Sequence, residues 1–416
     1  MRIVADLHIH SKYSRATSRE MDLPTLARWA KLKGVNLLGT GDFTHPTWLA
    51  ELRAQLVPAA PGLFTLRGGP AEVRFMLTVE VSNVFTQGGR LRRVHTLIFA
   101  PSFEVAARIN LALGRFGKLS ADGRPTFGLS ARELAEAVLE VSEECFLVPA
   151  HAWTPWYSIF GANSGFDSLE ECYGDLAPRI HAIETGLSSD PAMNRRWSAL
   201  DRIALLSNSD AHSPQRIARE ANVFDTELTY PAVLEAIRAK DPARFLFTIE
   251  FFPEEGKYHF DGHRACGVLF APAETRRARG RCPECGKPLT VGVMHRVETL
   301  ADRPEGFRPP GAVPARHLVP LAEILAEALG LGAESAAVEA EHLRLLEQGG
   351  SELAILLDLP PEELARFTPP RVLEGIRRVR EGRLTITPGY DGVYGVIRLF
   401  GEERAQAPAS EQMALF

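Results

Sequence analysis

Short apolar runs alternate with amphipathic stretches from the first residue to about position 250. "RIVADLHI" has the apolar, β-branched texture of a buried strand. "LPTLARWAKLKG" repeats apolar positions at helical spacing, with Pro24 near its start and Gly34 as its stop. "VNLLGTGDF" predicts a second strand and "PTWLAELRAQL" a second helix. Further strands are predicted at "VRFMLTVEVS", "RVHTLIFA", "CFLVPAHAW", "IHAIETG", "IALLSNSDAH" and "FLFTIEFF", with helices at "SARELAEAVLEVSEE" and "YPAVLEAIRAK". Such βα alternation implies a largely parallel sheet or barrel.

The texture changes at Pro253. "PEEGKYHFDGHRACGVLF" is loop-rich, "RCPECGKPL" is knuckle-like, and "ADRPEGFRPPGAVPA" reads as a linker. Helical patterning returns in "LVPLAEILAEALG", "AAVEAEHLRLLEQ", "SELAILLD", "PEELARF" and "PRVLEGIRRVREG", followed by the β-like "LTITPGYDGVYGVIRLF". The expected organisation is a barrel over 1–252, a zinc-ribbon segment over 253–300, a helical domain with a short β ending over 301–400, and a tail over 401–416. No internal repeat is visible.

The 416 residues suit two or three domains, and 45% hydrophobic against 24% charged residues suits large buried cores. No run approaches the ~18 to 20 apolar residues that span a bilayer, and no secretion signal precedes the first strand. A cytoplasmic, nucleoid-associated protein is expected. The net charge of −5 argues against indiscriminate coating of nucleic acid but leaves room for local basic patches. Five cysteines do not make a disulfide framework in a chain this long. Cys145 and Cys172 stand alone, whereas Cys266, Cys282 and Cys285 cluster.

Residues i and i+2 of a strand point the same way, so His8 and His10 project together with Asp6 on that face. One such pair is usually structural. Other strands add to it: Asp42 and His45 follow "LLGTG", Glu80 sits in "LTVEVS", His95 opens "HTLIF", His151 follows "FLVPA", and Asp210 and His212 close "LLSNSDAH". In βα barrels the C-terminal strand ends form the active rim. Imidazole and carboxylate together suit zinc, manganese or iron. Several cations sharing a carboxylate suit phosphoryl chemistry, because they generate hydroxide and neutralise charge at phosphorus.

That order of HxH, a GD turn, a lone Glu, two spaced histidines and a final DAH resembles the PHP (polymerase and histidinol phosphatase) family of metal-dependent phosphoesterases. The resemblance implies a distorted (β/α)7 barrel with up to three metals. It assigns His8, His10, Glu80 and Asp210 to a first site, with Glu80 bridging to a second completed by His95 and His151, and His212 to a third. Catalytic roles fall to Glu80, Asp210 and His151. "SKYSRATS" lacks the further histidine many members carry, and Asp42 or His45 is the candidate to fill its place. Lys12 and Arg15, just beyond the HxH, are phosphate contacts or solvated loop charges.

"HRACG" and "CPECG" form a second constellation. His263-x2-Cys266 and Cys282-x2-Cys285 are separated by 15 residues, the two-knuckle spacing of a structural zinc site. His295 and His259 are rival fourth ligands. The stretch 276–316, which opens with Arg276 and Arg277, holds nine basic against four acidic residues, a composition suited to phosphates.

After His151, "AWTPWYSIFGANSGF" concentrates Trp153, Trp156, Tyr157, Phe160 and Phe166, either as core or as a surface for an extruded base. With "GTGDFTHP", "PAHAWTPW", "SNSDAHSP", "GKYHFDGHRACG", "CPECGKPLTVGVMHR" and "PGYDGVYG", the whole chain resembles the endonuclease Q family, a DNA-repair branch of the PHP enzymes. This implies hydrolysis 5′ of deaminated bases (uracil, hypoxanthine, xanthine) and abasic sites, leaving 3′-hydroxyl and 5′-phosphate ends. The expected cofactors are Zn2+ in the ribbon and in the barrel, with Mg2+ or Mn2+ in catalysis. The terminal "QMALF" resembles a sliding-clamp docking peptide, with Gln412 hydrogen-bonding at the edge of a pocket filled by Leu415 and Phe416. Two other readings remain: a PHP phosphatase of a small ester, and a non-catalytic nucleic-acid-binding protein.

Overall fold

The structure, a computed structural model, describes residues 1–401. The clamp-like Gln412, Leu415 and Phe416 lie outside them. The chain divides into two compact units: Met1–Leu318 together with Thr387–Val396, and Val319–Ile386 with the stretch that begins at Ile397.

The first unit is built on an eleven-stranded sheet. Arg2–Asp6 lies at its centre, parallel to Leu37–Gly39 and antiparallel to Ala221–Asp225. Leu37–Gly39 runs parallel to Arg74–Gln87. The ladder is less parallel than the alternation implies. Arg74–Gln87 and Arg90–Ala100 form a long antiparallel hairpin, and Phe146–Pro149 adds antiparallel to it. The reason is local: Gly88 and Gly89 take φ of 60° and 73°, which closes a tight hairpin where a crossover helix would otherwise stand.

Ala182–Glu184 and Ala204–Leu206 pair in parallel as a separate ribbon. Buried side-chain amides join this ribbon to the sheet where strand ladders do not. Leu7 N–H donates to Asn208 Oδ1 at 2.8 Å, and Ser207 N–H to Asn222 Oδ1 at 3.0 Å. These groups are fully buried, so each amide satisfies backbone that water cannot reach. Ile3, Leu7, Leu37, Met76, Leu97, Phe99, Val148, Leu206 and Phe224 belong to one apolar core beneath.

Helices start where their caps predict. Asp22 accepts from Thr25 N–H at 3.0 Å to open Leu23–Lys33, and Gly34 ends it at φ 88°. Ser130 and Glu133 form a capping box at Ala131–Val141, worth about 1 kcal/mol. Their apolar faces are buried.

The second unit is helical: Leu321–Leu329, Ala336–Gly349 and Pro370–Arg380 enclose Ile324, Leu325, Leu345, Leu346, Val372 and Ile376. Gly375 lets two of these helices approach closely, since a Cβ there would stand 2.9 Å from Ile324 Cγ2. Among the described residues no helix is long and apolar enough to cross a membrane.

Candidate metal centre

His8 and His10 follow the central strand, and Asp6 at its end fastens the loop that carries Asp210. The Asp6 carboxylate accepts from Ser209 N–H at 3.1 Å and Ala218 N–H at 2.9 Å. Burial pushes its carboxyl up to about 6 against these bonds. Glu80 and His95 are not at strand margins, as the sequence suggests, but within the hairpin. Ser82 pairs with His95, so Glu80 is the diagonal neighbour of His95 on the same face. Asp42, His151 and Asp210 have φ of 51°, 31° and 47°, left-handed values uncommon for non-glycine residues. Such strain persists where surrounding contacts over-determine the backbone, and it concentrates at functional sites. Gly186 makes room for one of them: a Cβ there would lie 2.5 Å from His151 Cβ.

Glu80 is the centre of the arrangement. Its Oε2 lies 3.6 Å from His8 Nε2 and 3.2 Å from His10 Nε2. Asp210 Oδ1 is 3.4 and 3.1 Å from the same two nitrogens. Glu80 Oε1 faces the other way, 2.7 Å from His95 Nδ1 and 3.0 Å from His151 Nε2. Two clusters result, His8–His10–Glu80–Asp210 and Glu80–His95–His151, each with ligand atoms within 4.8 Å of one another. His8 Nε2, His10 Nε2 and Asp210 Oδ1 are buried and hydrogen-bond to no described residue. Converging buried donors left unsatisfied fit a cation better than they fit one another.

Carboxylates behind the imidazoles set their orientation. Glu184 takes His8 Nδ1 at 3.1 Å and also accepts His151 N–H at 2.9 Å. Asp42 takes His10 Nδ1 at 3.1 Å and accepts Ser11 N–H at 2.6 Å. Both leave Nε2 aimed into the first cluster, the carboxylate–histidine pattern of metal sites. Burial lowers His8 and His10, yet Glu184, Asp210 and Glu80 around the one and Asp42 beside the other carry both well above the ordinary imidazole value. Burial raises Glu80, and the histidines around it, His95 first, hold it well below its ordinary value.

Asp42 therefore stands behind His10 and outside the clusters. His45 is farther removed: it caps Pro46–Gln55 and stacks on Tyr13 with centroids 4.4 Å apart. Neither completes a third cluster among the described residues. His212 lies beside the first cluster, its ring centroid 4.5 Å from that of His10, with Nδ1 on the Asp210 carbonyl at 2.9 Å. Two residues escaped the sequence reading. Glu184 closes "AIE", so the rule that flagged carboxylates on apolar strands also covers it. Arg124 Nη1 lies 3.0 Å from Glu80 Oε2 and comes from a loop with no pattern to announce it.

His263, Cys266, Cys282 and Cys285 bring their ligand atoms within 4.8 Å of one another, with His263 Nδ1 3.4 Å from Cys285 Sγ. That spacing fits a tetrahedral zinc with Zn–S of about 2.3 Å. Gly267 and Gly286, at φ of 66° and 70°, turn the chain after each knuckle. The rival ligands stand elsewhere: His295 Nδ1 is on Asp261 at 2.6 Å, and His259 is buried against Phe260.

The aromatic loop divides. Trp153, Phe160 and Phe166 are core, and Trp153 Nε1 donates to Asn194 Oδ1 at 2.7 Å. Trp156 and Tyr157 are exposed. Lys12 pairs with Glu51 at 2.9 Å, Arg15 with Asp122 at 3.3 Å, and Arg276 with Glu298, while Arg277 is exposed.

Comparison with known proteins places this geometry. Residues 320–383 match the family of the MJ0043 C-terminal domain. The Methanocaldococcus jannaschii protein MJ0043 is 31% identical over 259 residues, 59% of this chain; the chain spans 31% of that protein's length. A crystal structure of a lesion-specific endonuclease, PfuEndoQ from Pyrococcus furiosus, superposes with a TM-score of 0.85 at 36% identity, covering 96% of this chain and 95% of that one. A structure of endonuclease Q in complex with a 27-mer duplex carrying an abasic lesion at its active site gives 0.84 at 36% identity, covering 99% and 100%.

Proposed function

The chain belongs to the endonuclease Q family, and on that premise we propose that it nicks DNA 5′ of deaminated bases and abasic sites. The family membership makes it a metal-dependent DNA-repair endonuclease with a mixed α/β barrel fold. The observation that carries the finer reading is Glu80, which turns one oxygen to each of two donor clusters.

His8, His10, Glu80 and Asp210 would hold one cation, and Glu80, His95 and His151 a second. Cations bound there would supply a nucleophilic hydroxide at neutral pH and neutralise charge developing on phosphorus. Glu184 and Asp42 hold the tautomers that present Nε2 to the cluster. Asp210, the more exposed carboxylate of the set at 28% of its side chain, is placed to take a proton from water at the mouth. Arg124 offers a guanidinium beside Glu80, suited to a phosphate oxygen. Trp156 and Tyr157 are the members of the aromatic loop that a displaced nucleotide would meet; a deaminated or missing base pairs poorly and leaves the stack at low cost. Zinc in the knuckles builds fold and performs no chemistry. Arg277, Arg276, Lys12 and Arg15 are candidates for phosphate contact. The sliding clamp is the proposed protein partner of Gln412, Leu415 and Phe416; removing residues 411–416 should abolish clamp binding, and unchanged affinity overturns that assignment.

The deciding experiment supplies purified protein, a divalent metal and labelled duplexes bearing one uracil, hypoxanthine, xanthine or abasic site. Nicking on the 5′ side with 3′-hydroxyl and 5′-phosphate ends supports the proposal. Intact lesion duplexes with a fully metallated protein overturn it.

A further inference from the structure

An exposed aromatic surface extends outward from the second cluster, assembled from three segments far apart in sequence. The Tyr157 ring lies 4.9 Å from the His95 ring, and Tyr157 carbonyl accepts His95 N–H at 3.1 Å. The next residue, Trp156, meets Tyr258 edge to face at 5.5 Å. Lys257, beside it, sets its ammonium over the Tyr394 ring at 4.5 Å. Trp156 is 42% exposed and Tyr394 is 67% exposed. With the half-buried Tyr258 between them, rings this open form a contiguous patch of the kind that marks an interaction surface.

The turn that carries Tyr394 is fastened to the segment that carries Tyr258. Four backbone bonds fasten the Gly389–Gly395 turn to Glu254–Phe260: Gly389 N–H to Glu254 O at 2.8 Å, Phe260 N–H to Gly389 O at 3.0 Å, Gly392 N–H to Lys257 O at 2.9 Å and Gly395 N–H to Glu255 O at 3.1 Å. Glycine is required at the closest approach, where a Cβ on Gly395 would stand 2.0 Å from Glu254 O. Thr387–Val396 thus belongs to the barrel unit although the sequence on both sides of it does not. Charge agrees with the shape. Lys257 and Arg264 are exposed here, Arg93 lies 5.3 Å over Tyr157, and the nearby Asp391 carboxylate is engaged by Arg264 N–H and Thr290 Oγ1.

We propose that Trp156, Tyr258 and Tyr394, with Lys257, form a stacking platform for unpaired bases of the DNA strand that flanks the lesion. The inference rests on the DNA-cleaving reading above and adds to it the surface that receives the single strand. Aromatic faces interleaved with cations bind unstacked bases with little regard to sequence.

The test compares two probes on the full-length protein: a twelve-nucleotide thymidine oligonucleotide and an equally long oligomer of baseless tetrahydrofuran sites. Stacking predicts that wild type prefers the base-bearing probe by roughly tenfold, the scale of one or two stacked bases. Tyr258→Ala with Tyr394→Ala should cut the preference below twofold, with melting midpoint and metal content retained. Tyr258→Phe with Tyr394→Phe keeps the rings and should keep the preference. Equal affinities in wild type, or a preference that survives in the alanine variant, overturns the platform. Nicking of a lesion duplex is scored separately, so failure of cleavage and failure of the platform are told apart.

Discussion

The barrel clusters and the knuckle cluster are both drawn from His, Cys, Asp and Glu, yet they are built differently. In the knuckles four ligands close on one point near the surface, where Cys285 is exposed and Cys266 partly so. That geometry suits a closed tetrahedral shell. In the barrel, one buried carboxylate serves two clusters, carboxylates stand behind two of the imidazoles, and Arg124 and Asp210 remain partly exposed at 28% each. A closed shell holds a fold together. A shared and partly open one keeps positions for a substrate.

The largest effect should come from breaking what the clusters share. Glu80→Gln removes the charge facing both donor sets and should lower lesion-duplex nicking by about 10³-fold or more, measured as kcat/KM. Retention of cleavage within tenfold would contradict the shared-carboxylate geometry. Next are the supporting carboxylates. Asp42→Asn or Glu184→Gln leaves the nitrogens of His10 or His8 present but loosens their tautomer, and should weaken metal affinity by about 10- to 100-fold. Competition with a calibrated chelator measures it, and excess metal should restore nicking to these variants but not to Glu80→Gln.

The knuckles answer differently. Cys282→Ser should remove one zinc per chain and lower the melting midpoint by roughly 5 °C or more, since the metal contributes folding free energy directly. The barrel metals should remain. Loss of all metals together would show that the two regions are coupled.

Legibility divided along the same line. The knuckle cluster was legible as a cluster because its four side chains lie in two short motifs, where spacing alone fixes the turn. In the barrel, His8 with His10 and the nearby Asp210 stand in dense local motifs, whereas His212, assigned to a third site, lies beside the first cluster and outside it. Glu80 and His95 were flagged by residue type, but their place inside an antiparallel hairpin was not: the sequence shows two strands, and only Gly88 and Gly89 hint that they pair. Asp42 was a candidate for the missing histidine's place, and the sequence alone does not show that its carboxylate sits on His10 Nδ1. Arg124 was missed because a lone arginine in an irregular loop carries no periodicity. Trp153 and Trp156 stand three apart in one motif, and only the fold separates the buried ring from the exposed one.

The smallest predicted effect concerns acids that neither region uses. Glu250 and Glu220 are fully buried near one another. Burial first, with the charge of Asp190 beside it, pushes Glu250 up to about 8, and burial with the charge of Glu250 pushes Glu220 well above the ordinary carboxyl range. Glu250 is therefore held largely as a neutral acid near pH 7. In the unfolded chain each ionises near its ordinary value of 4.5. Between those values the native state holds the extra proton, so stability from Glu250 is fully present below pH 4.5 and is lost as pH rises through about 8. Wild type should lose melting midpoint as pH rises from about 6 to about 8.5. Glu250→Gln keeps an acceptor for Thr185 Oγ1, now 3.1 Å from Glu250 Oε2, while removing the titration. The variant should flatten that slope. A slope unchanged in the variant would mean that Glu250 ionises in the folded barrel as readily as in the open chain.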